Sequence, residues 1–341
     1  MSVDLDNVRF ILRTLGKPLP QQTEQTPARL EGTLEWDRIL RVADLNKLSY
    51  ALCSAIEPAE SPHQNKIVTR VLEEGERNLA KQRRTLEFIS DALDNSGIDF
   101  LLIKTHKGNP YVTDDIDILV KEGNSRSAAA SFEDAGATLT GGRFMVPLLK
   151  TGVATPAYTA AGTINVDIYD GMPWSSLRCV DENFLWSNAR SEKFAGISCY
   201  IPSVEADLLT LLATSLFTDG KITLLDILYA NSLFERGMDL TRPTHQAEKY
   251  GWYNQFASLL AVLNNIEQIV SGTSYDALPI TLPYRIPSIH TFSALQSLLR
   301  FALKREPKRI GRGLVMITFH FFIGRLYIST LGPRLRENPG S

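Results

Sequence analysis

The sequence predicts an α+β protein: a small mixed β-sheet core flanked, before and after it in the chain, by helical regions. Three observations predict it. Apolar residues return every three or four positions between about residues 35 and 95, and the chain beyond residue 204 reads as helical again. Between these stretches lie short apolar runs of strand length, Ile98–Ile103, Ile116–Val120 and Ile164–Tyr169. The period changes at a helix stop, Ser96-Gly97. Three regions follow: a helical region over 1–95, an α/β core over 96–202, and a helical region with a basic tail over 203–341.

The elements follow in order. Asp4 to Leu15 reads as a short amphipathic helix ending near Gly16 and Pro18, and residues 18–32 as a polar linker. Thr33 can cap a helix from Glu35 to about Ile56, with Trp36, Ile39, Leu40 and Ala43 at helical spacing. After Pro58 and Pro62, a long helix runs from about Asn65 to Asn95, its outer face dense in Glu, Lys and Arg, as on a solvated surface. Strands are expected at Ile98–Ile103 and Ile116–Val120, then a helix over Ser127–Ala135 with Ser125 as cap. The Gly-, Thr-, Val- and Ala-rich stretch from Thr138 to Ile168 predicts two or more strands with a turn near Gly162. A further strand is expected at Gly196–Ile201, and helices at Val204–Phe217 and Ile222–Phe234.

Composition bounds the function. Over 341 residues, 44% hydrophobic and 22% charged is ordinary for a globular chain and wrong for a disordered one. A net charge of −2 excludes a polycation that binds nucleic acid along its whole surface. Cys53, Cys179 and Cys199 are far apart and odd in number, so no disulfide framework is expected and a reducing, cytoplasmic compartment is. Asp4, Asp6, Arg9, Arg13 and Lys17 interrupt the first apolar positions, so no signal peptide is expected.

The charge is uneven. From Arg300 to Arg336 nine basic residues face one acid, a net +8, while the rest holds 27 basic against 37 acidic residues, a net −10. The same tail holds an apolar run of eleven residues, Leu314 to Gly324, short of the about 20 that a transmembrane helix needs. It reads as a buried helix with basic flanks, a helix lying on a membrane surface, or a contact for the phosphate backbone of a nucleic acid.

The chemistry lies in the acidic strands. Along Asp114-Asp115-Ile116-Asp117-Ile118-Leu119-Val120, alternation puts Ile116, Ile118 and Val120 on one face and Asp115 and Asp117 on the other. The two carboxylates are then about 7 Å apart at their Cβ atoms. In Ile164 to Tyr169, Val166 and Ile168 share the core face, while Asn165, Asp167 and Tyr169 face away. An Asp-x-Asp strand is often only a solvated edge. With a third carboxylate on a neighbouring strand it becomes an all-oxygen set suited to Mg²⁺ or Mn²⁺.

In this order, Leu101-Leu102-Ile103-Lys104, Asp115-Ile116-Asp117-Ile118-Leu119-Val120 and Asn165-Val166-Asp167-Ile168 resemble the nucleotidyltransferase fold of the DNA polymerase beta superfamily. The resemblance extends to its uncharacterised bacterial and archaeal members through Glu35 to Ala43 and through Pro202-Ser203-Val204-Glu205-Ala206-Asp207-Leu208-Leu209. It covers about residues 33–235. It implies metal-dependent transfer of a nucleoside monophosphate from an NTP to a hydroxyl acceptor: an RNA or tRNA end, a protein, or a small molecule. Asp115 and Asp117 would match the metal-binding pair, and Asp167 the third carboxylate, which binds the second metal and helps deprotonate the acceptor.

One departure stands out. Such enzymes place a Gly-Ser or Lys-Gly pair at the start of a helix whose backbone N–H groups cradle the triphosphate. Here only Thr105 to Asp114 separates Lys104 from the acidic pair, leaving little room for that helix. Lys104, Lys107 and Gly108 are the expected triphosphate contacts, with His106 as a further donor. The alternative is that the cradle is gone and the fold survives as a binding or scaffold module, associated with nucleic acid or membrane through its basic tail. Lys221 reads as a loop lysine or a distant triphosphate contact, and Asp226 as a structural hydrogen-bonding residue. The five histidines have no zinc spacing.

Overall fold

The computed structural model of the chain describes residues 10–12, 14–15, 36–56, 62–105, 107, 111–140, 158–170, 173–174, 177–194, 196–219 and 222–271. The basic tail, the apolar run Leu314–Gly324, the linker 18–32, Thr33, His106, Gly108 and Lys221 lie outside them.

The helix expected over 35–56 is two helices, α1 (Trp36–Leu45) and α2 (Ser49–Ala55). Lys47 adopts a left-handed φ of 56°. Leu48 N then donates to Ala43 O at 2.7 Å and Lys47 N to Asp44 O at 3.0 Å. That pair of bonds closes a helix end with a residue other than glycine, so periodicity alone runs through it. α3 (Pro62–Asp94) follows. Gly75 lets α2 approach: a Cβ there would stand 1.9 Å from the Tyr50 ring. α3 stops at Gly97, φ 63°, by the same capping bonds, Ile98 N to Leu93 O and Gly97 N to Asp94 O.

Five strands form one mixed sheet: β1 (Phe100–Ile103), β2 (Asp115–Val120), β3 (Thr138–Leu139), β4 (Tyr158–Thr159) and β5 (Asn165–Asp170), in the order β1-β2-β5-β4-β3. β2 and β5 run parallel; the other pairs are antiparallel. α4 (Ser125–Asp134) connects β2 to β3, with Ser125 its first residue rather than its cap. Two hairpins follow, β6–β7 (Pro173–Trp174 with Leu177–Arg178) and β8–β9 (Arg190–Phe194 with Ile197–Ile201), with α5 (Glu182–Trp186) between them. β8 carries the charged residues Arg190, Glu192 and Lys193, and has no apolar signal to announce it.

Helices close the described chain: α6 (Val204–Thr214), a π-helical turn (Ser215–Asp219), α7 (Leu224–Phe234), α8 (Thr241–Tyr250) and α9 (Tyr253–Ser271). The sheet is buried on both faces. Leu102, Ile116, Ile118, Val120, Val166 and Ile168 pack with Leu86, Ile89 and Leu93 of α3 and Phe132 of α4. Leu101, Ile103, Leu119 and Tyr169 pack with the apolar residues of α6, α7 and α9. Ile11, Leu12 and Leu15 join α1, α2 and Leu225 and Leu228 of α7 in a third cluster.

Candidate functional site

Alternation and register build the site together. On β2 the face opposite Ile116, Ile118 and Val120 carries Asp115, Asp117 and Leu119. On β5 the matching face carries Asn165, Asp167 and Tyr169. The parallel register pairs Asp115 with Asn165, Asp117 with Asp167, and Leu119 with Tyr169. Leu119 and Tyr169 bury that face against the C-terminal helices. The three carboxylates occupy its other end, Asp117 buried and Asp115 and Asp167 half-buried.

The end of β1 brings a cation to them. Lys104 has φ 58°, and Thr105 N donates across it to Ile103 O at 2.5 Å. This is a three-residue turn of the rare, strained hand. Thr105, 2% exposed, accepts from Asp117 N through its hydroxyl at 2.9 Å. The turn thus anchors the middle of the acidic strand. Lys104 Nζ donates to the Tyr169 hydroxyl at 2.5 Å and to Asp117 Oδ1 at 3.5 Å, and stands 4.0 Å from the Tyr169 ring centroid. Lys104 therefore bridges Tyr169 and Asp117.

Electrostatics follows from this enclosure. Burial pushes the Asp117 carboxyl up, the Lys104 charge pulls it down, and Asp115 adds to the rise; the net shift is upward. Asp167 is pushed up to about 6, first by burial, then by the charges of Asp117 and Asp115. Burial and the same carboxylates also raise the Tyr169 hydroxyl, which stays protonated. Asp115 accepts from the Thr113 hydroxyl at 3.3 Å. Asp167 takes no hydrogen bond from any described residue.

The donor set is oxygen only, which suits a hard divalent ion. The register puts two of its members side by side, and Asp167, without a partner among the described residues, lacks the charge that such an ion supplies. As the side chains stand, no group of three or more His, Cys, Asp or Glu among the described residues is arranged to hold a metal. The Asp117 carboxylate is turned to Lys104 instead. The residue types, all oxygen donors, suit a hard ion; the side chains as placed do not gather round one.

Of the expected phosphate contacts, Lys104 lies in the site and Lys107 is bound elsewhere. Lys107 Nζ donates to Asp226 Oδ1 at 2.5 Å, with both side chains largely buried. The other oxygen of Asp226 accepts from Thr223 N and Thr223 Oγ1, and Thr223 Oγ1 accepts from Asp226 N, a capping box at the start of α7. No described residue between β1 and β2 is helical. Strand alternation puts Tyr169 on the face of Asp167 but gives no link from it to Lys104. The partnership of Lys107 with Asp226, 119 residues away, has no local signal at all.

The site and fold define a class: an α+β protein whose mixed sheet carries three carboxylates at one end, facing a strained lysine. No protein family and no curated protein matches the chain. Among solved structures, the solution structure of the antibiotic-resistance factor ANT(2'')-Ia aligns at 16% identity, over 54% of this chain and 95% of that one. The TM-score is 0.30, a superposition too loose to define a shared fold.

Proposed function

We propose that the chain is a metal-dependent nucleotidyltransferase that moves a nucleoside monophosphate from an NTP to a hydroxyl acceptor. The observation that carries this reading is the register that sets Asp167 beside Asp117 and on the face of Asp115. Asp115, Asp117 and Asp167 are the proposed ligands of Mg²⁺ or Mn²⁺. A bound divalent ion would neutralise the carboxylates and polarise the phosphoryl oxygens. Asp167 is the proposed acceptor of the hydroxyl proton. Lys104, Lys107 and Gly108 are the proposed triphosphate contacts. Positioning and charge neutralisation supply the rate in such a transfer.

Isothermal titration with Mg²⁺ and each NTP tests it. The expected result is metal-dependent binding of at least one nucleotide, lost in Asp115→Ala. No binding, or an unchanged Asp115→Ala, would sink the proposal.

One observation favours a second reading, a fold kept for binding without turnover. Lys107 is engaged by Asp226, and no described residue between β1 and β2 is helical to cradle a triphosphate. That reading predicts weak metal binding and no transfer to RNA, protein or small-molecule hydroxyls.

A further inference from the structure

We propose that the cleft between β1 and the β8–β9 hairpin is a second binding site, and that it takes a small alkylated ammonium ion. The inference does not rest on the nucleotidyl-transfer reading. The cleft lies at the start of β1, about 13 Å along the strand from Lys104 at its other end.

β1 is the outermost strand of the sheet, bonded only to β2. Beside it is a cleft of about 350 Å³, walled by the ends of α3 and α5 and by β9. Three aromatic side chains line it, Phe100, Trp186 and Tyr200, together with the acids Asp94 and Asp99. No basic residue is among the described residues that line it.

Such a lining selects by charge as well as by shape. Aromatic faces attract cations through the ring quadrupole, and carboxylates repel anions. A primary ammonium or a guanidinium demands several hydrogen-bond acceptors, which a mostly aromatic wall lacks. An alkylated ammonium demands none, so ring faces with a carboxylate at the rim are enough to hold it.

Two further observations point to a cation. The first is Lys121. Its ammonium pairs with Asp99 at 2.6 Å and stands 5.4 Å from the centroid of the Trp186 ring. One acid and one ring of this set thus already hold a cation of the chain itself. Asp94, Phe100 and Tyr200 remain. Asp94 takes the Ser90 hydroxyl at 3.0 Å and meets no cation among the described residues.

The second observation is the state of the rings. A buried indole usually places its N–H on an acceptor. Trp186 Nε1 is buried with no partner among the described residues. Hydrogen bonding therefore does not account for a tryptophan at this position, and its π face does. Tyr200 is 60% exposed on the outward side of β9. A ligand in the cleft would take part of that ring out of water.

Choline is the probe, titrated calorimetrically into the full chain. Saturable binding with a Kd of about 1 mM is expected. Its uncharged isostere, with a tert-butyl group in place of trimethylammonium, is expected to bind at least about tenfold more weakly. Tyr200 and Asp94 are exposed, so the fold does not depend on either. Tyr200→Leu and Asp94→Asn are each expected to weaken choline binding about fivefold. Tyr200→Leu is also expected to bind nucleotide as wild type does, which separates this site from the carboxylates. Failure of wild type to bind choline saturably overturns the proposal. Equal binding of the isostere overturns it too, since the cleft would then be apolar without selecting charge. Choline bound equally by wild type and both variants would seat the cation elsewhere, and overturns it as well.

Discussion

Asp167 and Asp207 are both buried enough that their carboxyls are raised to about 6, and burial is the first cause for each. Their surroundings are opposite. Asp207, 4% exposed in α6, takes the Tyr229 hydroxyl from α7 and Arg190 Nη2 from β8 at 3.2 Å. Around it, Arg190 and Arg236 both pair with Glu192. The network ties the β8–β9 hairpin to two helices. Asp167 has no described hydrogen-bond donor to its side chain; the charges of Asp117 and Asp115 raise its carboxyl and that of Lys104 lowers it. One acid is held by direct bonds from a tyrosine and an arginine; the other feels the Lys104 charge without bonding to it. Equally shifted acids thus differ in how their surroundings satisfy them, which burial alone does not show.

Removing the brace should cost most. Asp207→Ala leaves Arg190 and the Tyr229 hydroxyl buried without their acceptor, and is expected to destabilise the protein by about 3–5 kcal/mol in urea unfolding. A loss under about 1 kcal/mol would break the comparison, since Asp207 would then be no brace. Asp226 belongs with Asp207, being fully bonded. Asp226→Ala removes the carboxylate half of the α7 capping box and strands Lys107, for an expected loss of about 2–3 kcal/mol by the same measurement.

The smallest effect has the opposite sign. The folded carboxyl of Asp167, at about 6, lies above its ordinary 3.8. The native state therefore binds more protons than the unfolded state in that window. Its contribution to stability is full below pH 3.8 and lost as pH rises through about 6. Asp167→Asn removes that loss. Without divalent ions it is expected to be more stable than wild type by about 1–2 kcal/mol at pH 7.5, a figure reduced for partial exposure. The difference should vanish by about pH 4, where wild type is protonated too. A variant less stable than wild type at pH 7.5 would mean that Asp167 is paired, and would put it with Asp207.

Much of the fold and of the site is legible in the residues, and unevenly so. The core strands are readable because they are apolar and bounded by turns; Gly162, φ 78°, sits in the expected turn before β5. β8 is not, because it pairs its charged residues with the Asp207 network instead of presenting an apolar face. The π-helical turn after α6, Ser215–Asp219, overlaps the end of the helix expected over Val204–Phe217 and runs past it. The Asp207 brace leaves no trace along the chain: Arg190, Asp207 and Tyr229 come from three elements and meet only in space.

Local sequence determined which face each acid shows, because side-chain alternation along a strand is set by the backbone itself. That much places Asp115 with Asp117, and Asp167 with Tyr169, before any fold is known. Tertiary structure decided that β5 lies parallel beside β2 in the register that sets Asp167 against Asp117. It also decided that Lys104 turns left-handed onto both strands, and that Lys107 goes to Asp226 instead. Those choices depend on pairing between segments tens of residues apart. There the burial of the whole apolar face, rather than any neighbour in the chain, selects the register.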